Sequence, residues 1–60
     1  MELIAREVTE RIWHVVVRQD GGEALLGTYE SRLGAIAAVK LLLAGKYAGC
    51  RSFVERKDVE

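Results

Sequence analysis

The chain has 60 residues, with nine Lys and Arg balanced by nine Asp and Glu, so its formal net charge at pH 7 is zero. This length predicts a single domain, residues 1–60, without room for separate catalytic and regulatory parts. Half of the residues are hydrophobic and proline is absent, which excludes disorder of the whole chain, and the balanced charge disfavours a typical nucleic-acid binder.

The first ten residues fit two kinds of secondary structure. Ile4, Val8 and Ile12 would lie on one face of a helix, whereas Leu3-Ile4 and Val8-Thr9 also suit a strand. We favour the strand, because it would run directly into the following hairpin and extend its sheet.

Residues 12–17 are β-branched and aromatic, which is typical of a strand. Both alternate faces carry apolar side chains, which predicts a central strand rather than an edge strand. One face has Trp13, Val15 and Val17, and the other has Ile12, His14 and Val16.

A β-hairpin is the clearest local prediction. Asp20-Gly21 supplies the positive φ angles that a type I′ turn requires. Residues 24–29 then read as the returning strand, in which Gly27 indicates a bulge or a close backbone approach.

A helix follows the hairpin. Ser31 is a suitable N-cap, and the helix should end near Ala44-Gly45, where Gly45 can adopt the left-handed conformation. Residues 51–55 then predict a last strand, and the polar residues 56–60 predict a frayed tail. The expected fold is α+β: a small antiparallel sheet, made of the hairpin, the C-terminal strand and an N-terminal strand, packed on one helix.

The predicted helix is apolar on almost every side, with Lys40 as the main interruption. Such a helix must be buried all round, but the sheet of a 60-residue chain can cover only one side. We expect the sheet to be contacted by Ile36, Leu41 and Leu43 with Val39 or Ala37. We expect the second side to form an oligomer interface with another copy, most simply in a dimer, through Ala35, Ala38, Val39 and Leu42.

The size of the domain supports the same expectation. A chain of 6.7 kDa buries only about 60% of its unfolded surface, which makes a marginal monomer. Cys50 is the only cysteine, so an intrachain disulfide is excluded, and oligomerisation is the remaining common remedy.

No set of residues indicates catalysis, a metal or a cofactor. His14 and Cys50 are the only residues of their kinds and lie far apart in the sequence, which gives no zinc signature. They could form a nucleophile and base pair only if the fold brought them together. We therefore expect a protein that is not an enzyme and that has no cofactor, with a Cys50-dependent enzyme as the least favoured hypothesis.

One cluster invites a nucleic-acid contact. Trp13 with Arg11 and Arg18 could dock DNA if all three lay on an open sheet face. The competing interpretation, which we favour, is that Trp13 packs beneath the helix as the largest core residue.

Residues 26–31, Leu-Gly-Thr-Tyr-Glu-Ser, followed by Ala35 and Ala37-Ala38, resemble the last strand and helix start of AP2-type domains. The resemblance implies a three-stranded sheet that packs on one helix and reads DNA through Arg and Trp residues. Arg11, Trp13 and Arg18 would then occupy comparable strands. Residues 13–16 before Asp20-Gly21-Gly22 also resemble the hairpin of small bacterial domains of unknown function.

The sequence also suggests where the protein resides. The first residues lack a basic segment leading into an apolar core, so we expect no signal peptide. The apolar part of the helix is shorter than the ~20 residues that cross a membrane. The single thiol of Cys50 favours a reducing compartment, and the cytoplasm is the expected location.

These observations give two hypotheses for the function. The first is a non-enzymatic interaction module that acts as a homodimer or adaptor through its apolar helix. The alternative is a DNA-binding accessory domain that uses the hairpin face. The two differ in whether Arg11, Trp13 and Arg18 share an open surface.

Overall fold

The computed structural model describes residues 1–57, and within them it has a four-stranded sheet packed against one helix. The predicted α+β class is therefore confirmed. The order of the strands across the sheet is β3-β2-β1-β4, so β2 is central, as its two apolar faces predicted. The elements are β1 (Glu2–Thr9), β2 (Ile12–Gln19), β3 (Gly22–Tyr29), α1 (Arg32–Ala44) and β4 (Arg51–Glu55).

The sheet is mixed, whereas a wholly antiparallel sheet was expected. β1, β2 and β3 form an antiparallel meander, but β4 runs parallel to β1. The reason is the connection: α1 carries the chain back across the sheet, so that β4 starts at the same end as β3 and β1. The N-terminal strand is confirmed as β1. Of the tail predicted to fray, residues 58–60 lie outside the described residues.

The hairpin between β2 and β3 has the predicted turn and the predicted irregularity. Asp20 and Gly21 have φ angles of 51° and 79°, as a type I′ turn requires. The register shifts between Val15 and Val16, which marks a bulge beside Gly27. A Cβ atom added to Gly27 would lie 2.7 Å from the Tyr29 hydroxyl oxygen, so the tyrosine ring occupies the space that the glycine leaves.

The start of α1 is as predicted, but its end is different. The Gly34 N–H donates to the Ser31 Oγ at 3.1 Å, which confirms Ser31 as the N-cap. The helix ends at Ala44, yet Gly45 has a φ of −130° and is not left-handed. The N–H groups of Gly45 and Tyr47 both donate to the Leu42 carbonyl, so this turn satisfies the helix end without a left-handed cap.

The core lies between α1 and one face of the sheet, and it corrects the predicted oligomer interface. Ala35 is 0% exposed and Val39 is 6% exposed, and both pack on the sheet of their own chain, with Ala38 and Leu42 beside them. These four residues were expected to face a second chain, although Val39 was also an alternative for the contact with the sheet, and the structure agrees with that alternative. Small residues fit on the side of the helix that meets the sheet, because the large side chains of the core come from the sheet. The sheet side of the core consists of Leu3, Ala5, Trp13, Val15 and Val17.

The side of α1 that was expected to contact the sheet is only partly buried. Leu43 packs against the core as predicted, whereas Ala37 and Leu41 are exposed. The helix is therefore rotated relative to the expectation.

Within residues 1–57, no helix combines the length and hydropathy that crossing a membrane would require.

Candidate interaction surfaces

The outer helix face, defined as Leu33, Ala37, Leu41 and Ala44, points away from the sheet and is apolar. Leu33 is 80% exposed and Leu41 is 76% exposed, and the two alanines are exposed as well. Residues four apart lie on one side of a helix, so Leu33, Ala37 and Leu41 form a continuous stripe. The apolar surplus that the sequence predicted is present in the single chain, but on different residues.

The open sheet face, opposite to α1, has an apolar row across all four strands. The row consists of Phe53, Ile4, Val16 and Leu25. No helix of the described residues packs on this face, yet Ile4 and Val16 are buried, whereas Phe53 and Leu25 are exposed. Something other than secondary structure therefore covers the centre of the row.

An ion-pair network provides this cover. Arg6 on β1 donates from Nε to Glu55 on β4 at 2.7 Å and from Nη1 to Glu23 on β3 at 2.8 Å. Arg18 on β2 also donates to Glu23, at 2.9 Å. Arg6 is paired with His14 of β2, and Glu23 is paired with Arg18 of β2. Because Val16 lies between these two β2 residues, the Arg6 side chain must cross β2 above Val16 to reach Glu23. The long arginine stems thus shield apolar groups while their charged ends are paired.

The network favours the charged forms of Glu23 and Arg6. Hydrogen bonds from Arg6, and next from Arg18, lower the pKa of the Glu23 carboxyl to about 2. The hydrogen bond to Glu23, and next that to Glu55, raises the pKa of the Arg6 guanidinium above its ordinary value. These bidentate and shared contacts occupy guanidinium groups that could otherwise bind phosphate.

The residues of the predicted nucleic-acid contact do not share a surface. Trp13 is 4% exposed and packs beneath α1, as the favoured interpretation predicted. Arg18 lies in the ion-pair network on the opposite face, and Arg11 is exposed in the turn between β1 and β2. The alternation of a strand explains the separation, because positions 13 and 18 differ by an odd number.

His14 and Cys50 also lie apart. His14 is level with Arg6 and alternates with the core residues Trp13 and Val15, so it points to the open sheet face. Cys50 is a free thiol that packs against the core on the other side. Among residues 1–57, no three His, Cys, Asp or Glu side chains are grouped as metal ligands.

The edge formed by β4 is the least covered part of the sheet. α1 lies mainly over β1, β2 and β3, and a groove of about 130 Å³ separates it from β4. Ile36 and Leu43 line this groove on the helix and Val54 lines it on the strand. Phe53 and Val54, which point to opposite faces of β4, are both exposed.

Comparison of the chain with protein-family models, with curated proteins and with solved structures finds no match. The resemblances to AP2-type domains and to small bacterial domains therefore stay predictions, and the surfaces themselves must support any function.

Sequence reasoning assigned Ala37 and Leu41 of the outer helix face to the sheet contact, and it did not identify the ion-pair network. The helix could not be oriented because it is apolar on nearly every side. The network had a visible signal: alternation places Arg6 and Arg18 on one face of the meander, together with Glu23 and Glu55.

Proposed function

We propose that the protein is a non-enzymatic interaction module that assembles with a second copy of itself, as a dimer in the first instance, through the outer helix face. The observation that carries the proposal is the exposure of Leu33 and Leu41, at 80% and 76%, on a helix whose other side already covers the sheet. Isolated exposed leucines are common on proteins, but two leucines aligned in one stripe form a patch.

The stripe suits a symmetric helix pair. Ala37 lies between Leu33 and Leu41, and a small residue at the crossing point lets two helices approach closely. With the two-fold axis at Ala37, Leu33 of one copy would pack against Leu41 of the other. Complete burial of one leucine contributes about 1.5–3 kcal/mol, so four leucines can offset a large part of the cost of association.

A charge placed in the stripe tests the proposal. Leu41→Glu would bring an unpaired carboxylate into the contact and should shift the protein to the monomer, by at least about tenfold in dissociation constant. Leu25→Glu is the matched control, because Leu25 is 57% exposed on the opposite face of the sheet and should leave assembly unchanged. Sedimentation velocity and circular dichroism measure mass and folding. Equal masses for the two variants would contradict the role of the outer helix face.

The alternative function, DNA binding through the hairpin face, would have to depend on Arg11. Of the three expected contact residues, Trp13 is buried and Arg18 is ion-paired, whereas Arg11 is exposed and lies outside the ion-pair network. DNA binding of the usual electrostatic kind weakens steeply with salt. A fluorescence titration with duplex DNA at low salt should therefore find no saturable, salt-dependent binding by the wild-type protein.

We also propose the cytoplasm as the location of the protein. The support is the free thiol of Cys50, since reducing compartments keep cysteines unpaired.

A further inference from the structure

We infer that β4 is a second contact site for another copy of the chain, in which two β4 strands pair antiparallel and join the two sheets into one. Strand β4 forms one edge of the sheet, with β1 on its inner side and no described strand on its outer side. An exposed edge presents unpaired N–H and C=O groups that can bind a further strand.

The sequence of β4 is complementary to itself when it is reversed. With a two-fold axis at Phe53, antiparallel pairing sets Arg51 opposite Glu55 of the second copy, and the reverse. Phe53 meets its own copy, and Ser52 meets Val54. Arg51, Phe53 and Glu55 share the open sheet face with Glu2, Ile4 and Arg6, so charged residues meet opposite charges and aromatic residues meet aromatic ones on one face.

The charges at the ends of β4 are available for such pairing. Arg51 is exposed, and no ion pair among residues 1–57 includes it. Glu55 accepts a hydrogen bond from Arg6 through Oε1, and its Oε2 lies 3.7 Å from Arg18 Nη2, beyond hydrogen-bond distance. Its side chain is 44% exposed. A carboxylate can accept several hydrogen bonds, so Glu55 can keep Arg6 and accept Arg51 of a second copy.

The helix side of β4 is prepared for the same contact. Val54 is exposed beside the groove that Ile36 and Leu43 line. When two β4 strands pair, the two grooves face each other across the new centre of the sheet, and the valines lie between them. On the helix side of the sheet, the pairing thus buries apolar surface of both β4 strands and of both helices.

The other edge, β3, is less suited to self-pairing. Its bulge beside Gly27 shifts the register, so an antiparallel copy could not keep all residues on matching faces. Its charged residue, Glu23, is held by both Arg6 and Arg18.

The arrangement of charges also favours the antiparallel register centred on Phe53 over other ways of pairing two β4 strands. A parallel copy in register would set Arg51 against Arg51, and a shift by one residue would turn the side chains to opposite faces.

The chain beyond β4 leaves this edge open as far as it is described. The Lys57 N–H donates to the Glu7 carboxylate at 3.0 Å, so residues 56–57 continue along β1 rather than over the edge.

This inference rests on the proposed self-association but not on the outer helix face. Charge-swap complementation tests it. Arg51→Glu sets two glutamates opposite each other at both ends of the pair, and Glu55→Arg does the same with two arginines. Each variant alone should raise the dissociation constant of this contact about tenfold or more. An equal mixture of the two restores both opposite-charge pairs and should associate like the wild type.

The swap is made in the Leu41→Glu background, so that only the β4 contact is measured. Circular dichroism is needed to confirm folding, because Glu55→Arg also removes the hydrogen bond between Glu55 and Arg6. Recovery of mass in the mixture supports the inference. Unchanged association of the Arg51→Glu variant overturns it while the proposed function stands. A wild-type protein that is monomeric at all concentrations overturns both.

A measurement without the Glu55→Arg substitution covers the case in which that variant fails to fold. In a mixture of isotope-labelled and unlabelled Leu41→Glu chains, a filtered nuclear Overhauser experiment should detect contacts between the Phe53 rings of different copies. Their absence in a sample of this variant that sediments as a dimer would overturn the inference.

Discussion

Trp13 illustrates how one residue separates the two hypotheses for the function. Its indole packs between α1 and the sheet with 4% of its surface exposed. Trp13→Ala should cost about 3–5 kcal/mol, which is most of the stability expected for a domain of this size. Thermal unfolding followed by circular dichroism should show loss of the cooperative transition. Arg11→Ala, at an exposed turn position, should change stability by less than about 0.5 kcal/mol, and equal effects would contradict this placement of Trp13.

Glu23 makes the stability depend on pH in a defined direction. Its pKa is lowered from 4.5 to about 2 in the folded chain, mainly by the hydrogen bonds from Arg6. The folded state thus favours the ionised carboxylate, and this contribution is complete above pH 4.5 and lost as the pH falls through 2. Because the network is exposed, salt should weaken the effect.

Urea unfolding across this range measures the contribution, with Glu23→Gln as the comparison. The wild type should lose more stability than the variant as the pH falls. Parallel curves for the two proteins would show that the Glu23 ion pairs do not contribute.

At the scale of elements, the start of α1 depends on one side chain. Ser31 accepts the Gly34 N–H, and no acidic residue lies in the first turn. Ser31→Ala should destabilise the protein by about 1 kcal/mol. Ser31→Asp should retain or exceed the wild-type stability, because aspartate caps equally well and interacts favourably with the helix dipole. Chemical denaturation measures both, and an alanine variant as stable as the aspartate variant would contradict the capping role.

The elements that sequence predicted well are those with local signals. Asp20-Gly21 determines the hairpin turn, and Ser31 determines the start of the helix. The last strand was predicted at residues 51–55, and β4 has the same bounds. These features depend on neighbouring residues, so the sequence contains the information. The alternation of side chains along a strand likewise predicts that Trp13 and Arg18 lie on opposite faces of the sheet.

The features that sequence could not predict depend on tertiary packing. A helix that is apolar on nearly every side does not indicate which side meets the sheet. Ala35 was therefore assigned to a partner and Val39 to either side, although both belong to the core. The direction of β4 depends on where the crossover returns the chain. Alternation indicates that Arg6 and Arg18 share a face, but the ion pairs themselves depend on side chains from four strands meeting above the sheet.

At the scale of the whole molecule, the two proposed contacts lie on different surfaces. The outer helix face points away from the sheet, whereas β4 extends the sheet in its own plane. Both contacts are symmetric, so a protein that uses the two at once would form chains rather than closed dimers. Association beyond the dimer at high concentration is therefore expected, and it should disappear when either contact is removed.

Sedimentation velocity of the wild-type protein over a dilution series, from about 10 µM to about 500 µM, tests self-association most directly. The expected result is a mass that rises with concentration from the 6.7 kDa of one chain to at least twice that value, with Leu41→Glu shifting the rise to higher concentration. A single folded species with the mass of one chain at every concentration would contradict the account.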